Sequence, residues 1–174
     1  MNFLENDIIK LRALEPEDLE LLYLWENDTT AWIAGNTKAP CSRFQLKQYL
    51  AQTTFDIYEN NQLRLMIVNK STNQTVGTVD LFNFDLYHSR LTIGFYVASE
   101  FQRKGFATQS LKLTENYVFN FLKINQIYAQ VTESNQSSRR LFESNGFELS
   151  GTLKNWIKTP DGFENVLIYQ KFKQ

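Results

Sequence analysis

The sequence predicts one α+β domain. Three observations carry that reading: short β-rich runs lie beside stretches with helical spacing, the central strands follow one another through short turns, and no linker or internal repeat divides the 174 residues. Hydrophobic residues make up 43% and aromatics 14%, which suits a packed core and argues against disorder.

Ile8 to Leu14 reads as a strand. The following EPEDLELLYLWEND reads as a helix, with Pro16 near its first position and Glu15, Glu17 and Asp18 at its positive end. Thr29 to Pro40 is irregular, and Ser42 opens a second helical stretch through Phe44, Leu46, Tyr49 and Leu50. Leu63–Asn69, Val76–Phe84 and Leu91–Val97 are strands joined by KSTNQ and DLYHS, and such short connections predict an antiparallel meander. Gly105 to Leu122 carries Ala107, Leu111, Val118 and Leu122 on one helical side, and Ile127 to Val131 is a short strand. A short helix, Ser137 to Ser144, is expected to be capped by Asn135 or a nearby serine and ended by Asn145-Gly146. Strands Phe147–Ile157 and Phe163–Phe172 flank the turn TPDG.

Eighteen Lys and Arg stand against 19 Asp and Glu, so no global basic field exists to hold a nucleic acid or an anionic membrane. The aromatics are not interleaved with a basic stripe either. Cys41 is the only cysteine and cannot form an intramolecular disulfide, and one His with one Cys argues against a metal site. The N-terminal MNFLENDIIK lacks the features of a leader, and no run approaches a spanning helix. A cytoplasmic protein is expected.

Function concentrates in EFQRKGFATQS, Glu100 to Ser110, which joins a strand to a helix start. Leading amides and the helix dipole favour an anion there; Gly105 and Ala107 allow close approach, Arg103 and Lys104 add charge, and Thr108 adds a hydroxyl. The nucleoside-triphosphate loop and the dinucleotide fingerprint both fail on glycine placement. A plain basic surface loop is the alternative on spacing alone.

Gln102, Gly105 and Ala107 fit the pattern Gln/Arg-x-x-Gly-x-Gly/Ala, and VGTVDLFNFDLYHSRLTIGFYV upstream and YAQVTESNQSSRRLFESNGFELSG downstream complete it. On these segments the chain resembles the GNAT acyl-CoA N-acyltransferases, in the branch of the spermidine/diamine and ribosomal-protein N-terminal acetyltransferases. The resemblance covers nearly all of residues 1–174 as one domain. It implies a twisted mixed sheet splayed between Leu91–Val97 and Ile127–Val131, with acetyl-CoA as co-substrate and no metal. Pantetheine would pair with main-chain groups near Tyr96 and Val97. The pyrophosphate would rest on Gln102, Arg103, Lys104, Gly105, Phe106, Ala107 and Thr108, and Asn135 and Ser138 would meet the cofactor's other side.

Acetyl transfer to an amine needs a proton acceptor, because an alkylammonium of pKa about 10.4 cannot attack. Two residues familiar from relatives are absent: Thr92 stands where the polyamine enzymes have Glu, and Phe142 where a tyrosine acid would be. Asp80, inside VGTVDLFNF, is the catalytic candidate, as base or ammonium anchor if it faces the acceptor cleft and as a surface acid if it does not. Glu26, Asp85, His88, Glu133 and Tyr128 are weaker candidates with ordinary structural readings. Acceptor-lining groups come from WENDTTAWIAGNTKAPCSRF: Trp25, Glu26, Trp32, Asn36 and Arg43, each aromatic equally readable as core.

TAWIAGNTK lacks the acidic run a polyamine pocket would use, so a peptide N-terminus, an aminoglycoside or a small amine stays open beside a polyamine. The competing reading is an acyl-CoA-binding sensor without turnover; a purely structural use of the fold is a third. Family analogy makes a homodimer plausible, although no residue pattern marks its interface.

Overall fold

The computed structural model describes residues 2–35, 37–52 and 56–174. Seven strands form one sheet in the order β1-β2-β3-β4-β5-β7-β6. They are β1 (Ile9–Arg12), β2 (Gln62–Asn69), β3 (Gln74–Asp85), β4 (Arg90–Val97), β5 (Gln126–Thr132), β6 (Glu148–Thr159) and β7 (Gly162–Phe172). The helices are α1 (Leu19–Glu26), α2 (Trp32–Gly35), α3 (Arg43–Gln52), α4 (Phe106–Asn116) and α5 (Gln136–Ser144). Neighbouring strands pair antiparallel except β4 and β5, which run parallel because α4 carries the chain back between them.

Strand alternation divides the core. Leu65, Ile67, Val79, Leu81, Leu91 and Ile93 point to the face covered by Leu111 and Val118 of the α4 segment. Met66 points to the opposite face, where Leu22 of α1 and Leu46 of α3 enclose it. Phe142 of α5 is buried, stacked on Tyr169 at 6.2 Å between ring centroids and edge-on to Phe147 at 5.0 Å, the packing role its apolar ring favours.

Most expected elements stand where the periodicity puts them, and four details differ. The first helix begins with a 3-10 turn at Pro16–Asp18 before α1. The stretch expected to be irregular holds α2, stabilised by the Trp32 indole N–H donating to the Glu26 carbonyl at 2.9 Å. The helix expected to run to Leu122 widens into a π-helical turn over Tyr117–Phe121. At the last hairpin, Thr159 pairs with Gly162, so both strands extend to within two residues of each other. Among the described residues, no helix is long and apolar enough to cross a membrane, and no group of three or more His, Cys, Asp or Glu is placed to hold a metal ion.

Asp18 fixes the entry to α1. Its carboxylate is buried, yet Arg12 Nη1 and Nη2 donate to it at 2.7 and 2.8 Å and the Glu15 amide donates at 2.9 Å. Burial pushes the Asp18 pKa up, but the Arg12 and Glu15 hydrogen bonds outweigh it and hold the group below its ordinary value. A depressed folded pKa stabilises the protein above the unfolded value of about 3.9, and that contribution disappears as pH falls through the folded pKa. Asp18→Asn should therefore cost about 1–3 kcal/mol at pH 7. Urea melts of the two proteins should converge as pH drops below 4; a gap independent of pH would refute the ion-pair account.

Candidate active site

The site begins where two strands part. β4 and β5 pair only at Arg90↔Gln126, Leu91↔Ile127 and Thr92↔Tyr128, and beyond these residues each strand keeps its other neighbour alone. The register identifies the groups that face the opening. Ala98 N–H donates to the Val76 carbonyl at 3.0 Å, which makes Gly77↔Val97 a non-hydrogen-bonded pair. Main-chain groups of Tyr96 thus point to β3, while those of Phe95 and Val97 point toward β5, into the gap. The Val97 carbonyl accepts from Gln102 Nε2 at 3.0 Å, and its N–H is aimed into the opening.

Gly77 makes this arrangement possible. A Cβ there would lie 2.1 Å from the Tyr96 carbonyl oxygen and 3.0 Å from Val97 Cα. No other residue type fits without pushing the Tyr96–Val97 peptide away from β3.

The loop after β4 ends in two left-handed residues, Arg103 at φ 59° and Gly105 at φ 84°, the second being the N-cap of α4. A Cβ at Gly105 would meet no atom within 4 Å, so backbone conformation and not crowding calls for glycine in this structure. The amides of Phe106, Ala107 and Thr108 lead the helix, and Gln109 N–H is the amide that closes onto the Gly105 carbonyl at 3.0 Å. Arg103 and Lys104 are exposed beside them. Phe106 contributes only its amide here, because its side chain is buried edge-on to Phe101. Across the opening, Asn135 caps α5 by accepting from the Ser138 amide at 3.1 Å, and Phe95 meets Phe142 at 6.3 Å between centroids. The helix end with its free leading amides thus follows directly on the strand whose backbone is left unpaired.

On the α1 and α3 face of the sheet, Arg64, Asp80 and Gly94 form one cross-strand row. Arg64 Nε donates to Asp80 Oδ1 at 2.6 Å and Nη1 to Glu26 Oε1 at 2.5 Å; Gln62 Nε2 adds a 3.2 Å contact to the same Asp80 oxygen. Burial opposes the Arg64 charge, but Asp80 and then Glu26 outweigh it and raise its pKa, so the guanidinium stays cationic. Asp80 lies on the α1 and α3 face of the sheet, held in its salt bridge with Arg64. Beside it, the Phe82 ring edge lies 3.6 Å from where a Cβ on Gly94 would sit.

One row further along, Tyr96 packs on Trp25 at 5.2 Å between centroids, and its hydroxyl approaches Asp28 at 3.5 Å. Burial, followed by the Asp28 charge, pushes the phenol up to about 12, so Tyr96 is a neutral hydroxyl and not a base. Trp32 is half-buried against the end of α1. Arg43 points elsewhere, to Glu20 at 2.9 Å and over the Tyr23 ring. Asn36 lies outside the described residues. Thr92 is buried, His88 is exposed against Tyr87, Asp85 pairs with Arg90, and Glu133 accepts from Asn165. Tyr128 stands at the last position of β5 that pairs with β4.

Sequence reasoning missed Arg64, Gly77 and Asp28. The one available signal for Arg64 was a charge at an alternate position of an apolar strand, and for Gly77 a glycine inside a strand.

A parallel strand pair that parts beside a helix start with free leading amides is the arrangement with which known proteins can be compared. Residues 9–148 match the Acetyltransferase (GNAT) domain, and the chain belongs to that family. It is 25% identical to an N-acetyltransferase of Bacillus licheniformis over 174 residues, 100% of this chain and 98% of that one. With the spermidine N(1)-acetyltransferase of Escherichia coli it shares 26% over 162 residues, 91% of this chain and 83% of the other. The crystal structure of Vibrio cholerae spermidine N-acetyltransferase with CoA and spermine shares its fold at a TM-score of 0.86, 24% identity and 97% coverage of both chains. The protein is an N-acetyltransferase acting on an amine.

Gly77→Ala should displace the Tyr96–Val97 peptide into the opening and weaken acetyl-CoA binding by about tenfold or more, equivalent to about 1.4 kcal/mol. Calorimetric titration checks this, with circular dichroism to establish folding. Unchanged affinity in a folded Gly77→Ala protein would show that β3 does not set the opening.

Proposed function

We propose that acetyl-CoA is the donor, lying in the opening between β4 and β5, and that the amine arrives from the α1 and α3 face. The observation that carries this reading is the Val97 N–H aimed into a gap whose far end meets the leading amides of α4. Phosphates suit those amides together with Arg103 and Lys104. Gln102 acts through the Val97 carbonyl, holding the loop against the strand.

In this reading the nitrogen lone pair attacks the thioester carbon to form a tetrahedral oxyanion, the carbon–sulfur bond then breaks, and the N-acetylated amine and CoA leave. Val97 N–H stabilises the oxyanion, since a donor fixed before the reaction costs no reorganisation. Asp80, opposite Gly94 on β4, takes the ammonium proton directly or through one water. The Phe95–Phe142 contact supplies an apolar wall, and neither ring can donate a proton to the departing sulfur. Solvent supplies that proton.

A cytoplasmic setting is supported by the single cysteine and by the absence of a spanning helix among the described residues. Self-association is supported by the dodecameric Vibrio cholerae spermidine N-acetyltransferase and by exposed Leu149, Trp156 and Phe163 on the β6–β7 hairpin.

Release of CoA thiol from acetyl-CoA, followed across peptide N-termini, aminoglycosides, polyamines and simple alkylamines, tests the function. Amine-dependent release is expected, whereas tight acetyl-CoA binding without release would contradict turnover. Asp80→Asn should lower kcat by about 10²–10⁴ while acetyl-CoA affinity holds. Full activity in that variant would remove Asp80 from the chemistry.

A further inference from the structure

β5 presents three polar side chains to the acceptor face. Ile127, Ala129 and Val131 are buried in the core beneath α4 and α5, so strand alternation turns Gln126, Tyr128 and Gln130 to the opposite side of the sheet. A hydrogen bond from Gln170 to Gln126 joins two side chains on that same side. Only Gln130 of the three lies beyond the last pair with β4, Thr92↔Tyr128, and it is exposed. Among the described residues its side-chain amide has no hydrogen-bond partner.

Main-chain direction places Gln130 at the opening. Glu133 N–H donates to the Asn165 carbonyl at 3.0 Å on the β7 side, and Gln126 N–H donates to the Ser89 carbonyl at 3.0 Å on the β4 side. Alternation between these two points turns the main chain of Gln130 into the gap, with its side chain on the acceptor face. Extending the register past Thr92↔Tyr128 sets Gln130 across the gap from Gly94, whose neighbour on β3 is Asp80. Asp80 and Gln130 thus stand at one level on opposite banks, with no Gly94 side chain between them.

The spacing suits a single nitrogen. With one chain inserted between β4 and β5, the two Cα atoms lie about three strand spacings apart, about 14 Å. Side chains reaching about 3.5 Å from Asp80 and about 5 Å from Gln130 leave about 6 Å, the span of two hydrogen bonds to one atom.

We infer that Gln130 Oε1 accepts a hydrogen bond from the attacking amine and, opposite Asp80, turns the nitrogen lone pair toward the thioester carbon. This rests on the acetyltransferase reading above and adds the residue that orients its nucleophile. A primary amine that has given up its proton keeps two N–H bonds and one lone pair; acceptors on both banks hold the N–H bonds outward and leave the lone pair over the gap. A neutral amide suits this position. A carboxylate there would hold the amine as ammonium and repel the developing oxyanion.

The test uses n-butylamine, glycinamide and spermidine as probes. Gln130→Met should lower kcat/KM by about tenfold, the worth of one hydrogen bond, while acetyl-CoA affinity measured by calorimetry holds. Gln130→Glu keeps the acceptor oxygen but adds charge, so the rising limb of the kcat–pH profile should move up by about one pH unit or more. Gln130→Met should leave that limb in place. Unchanged kcat/KM in Gln130→Met, or an unmoved limb in Gln130→Glu, overturns the proposal. A loss confined to acetyl-CoA binding would overturn it too, by assigning the side chain to the donor.

Calorimetric binding of the three amines to the acetyl-CoA complex keeps the two layers apart. Amine binding that Gln130→Met weakens, with no CoA release from the unmodified protein, would uphold the contact and sink the transferase reading. CoA release that Gln130→Met leaves intact would uphold transfer and sink the role of Gln130. Binding of none of the three amines overturns both.

Discussion

Everything in this site depends on two parallel strands that stop pairing halfway along. Leaving backbone groups unpaired inside a sheet is costly unless something else satisfies them, so the parting of β4 from β5 after Thr92 and Tyr128 requires a reason and a means of support. Support comes from the outer neighbours. β5 stays bonded to β7 through Thr132, and β4 stays bonded to β3 through the Ala98 amide, with Gly77 permitting a backbone approach that a methyl group would block. Gln102 then secures the Val97 carbonyl from the loop side. The gap is therefore built into the sheet and does not depend on a mobile lid.

Strand alternation assigns the two faces different work. Phe95 and Val97 turn their side chains to the α4 and α5 face and their main chain into the gap, while Gly94 and Tyr96 turn theirs toward α1 and α3. One strand can then hold a long donor along its edge and admit an acceptor from the opposite face. The charges follow the same division: helix amides, Arg103 and Lys104 at the loop after β4, and the Glu26–Arg64–Asp80 set on the α1 and α3 face. Charge pairing of this kind contributes more to selecting partners than to net stability.

How far the sequence could be read follows from the range of each interaction. Period-two and helical spacing located all seven strands and four helices, whereas the loop from Gln102 to Thr108 fits a plain basic surface loop equally well on spacing alone and was singled out only by the family resemblance. The Asn135 cap was legible from local sequence. Long-range facts were not. Nothing near Arg64 in the chain announces that it meets Glu26, 38 residues away, as well as Asp80. Nor could composition tell that Tyr96 faces β3 with its main chain while Val97 faces the gap; that distinction rests on one cross-strand hydrogen bond. The α2 turn escaped notice because its stability comes from the Trp32 indole bonding back to α1 and not from its own four residues.

Amide hydrogen exchange, resolved residue by residue with and without acetyl-CoA, tests the central claim most directly. The account predicts new protection at the amides of Val97, Phe106, Ala107 and Thr108, with Tyr96, already facing β3, unchanged. Protection at Tyr96 without Val97, or none along either segment at saturating acetyl-CoA, would contradict the placement of the donor between β4 and β5.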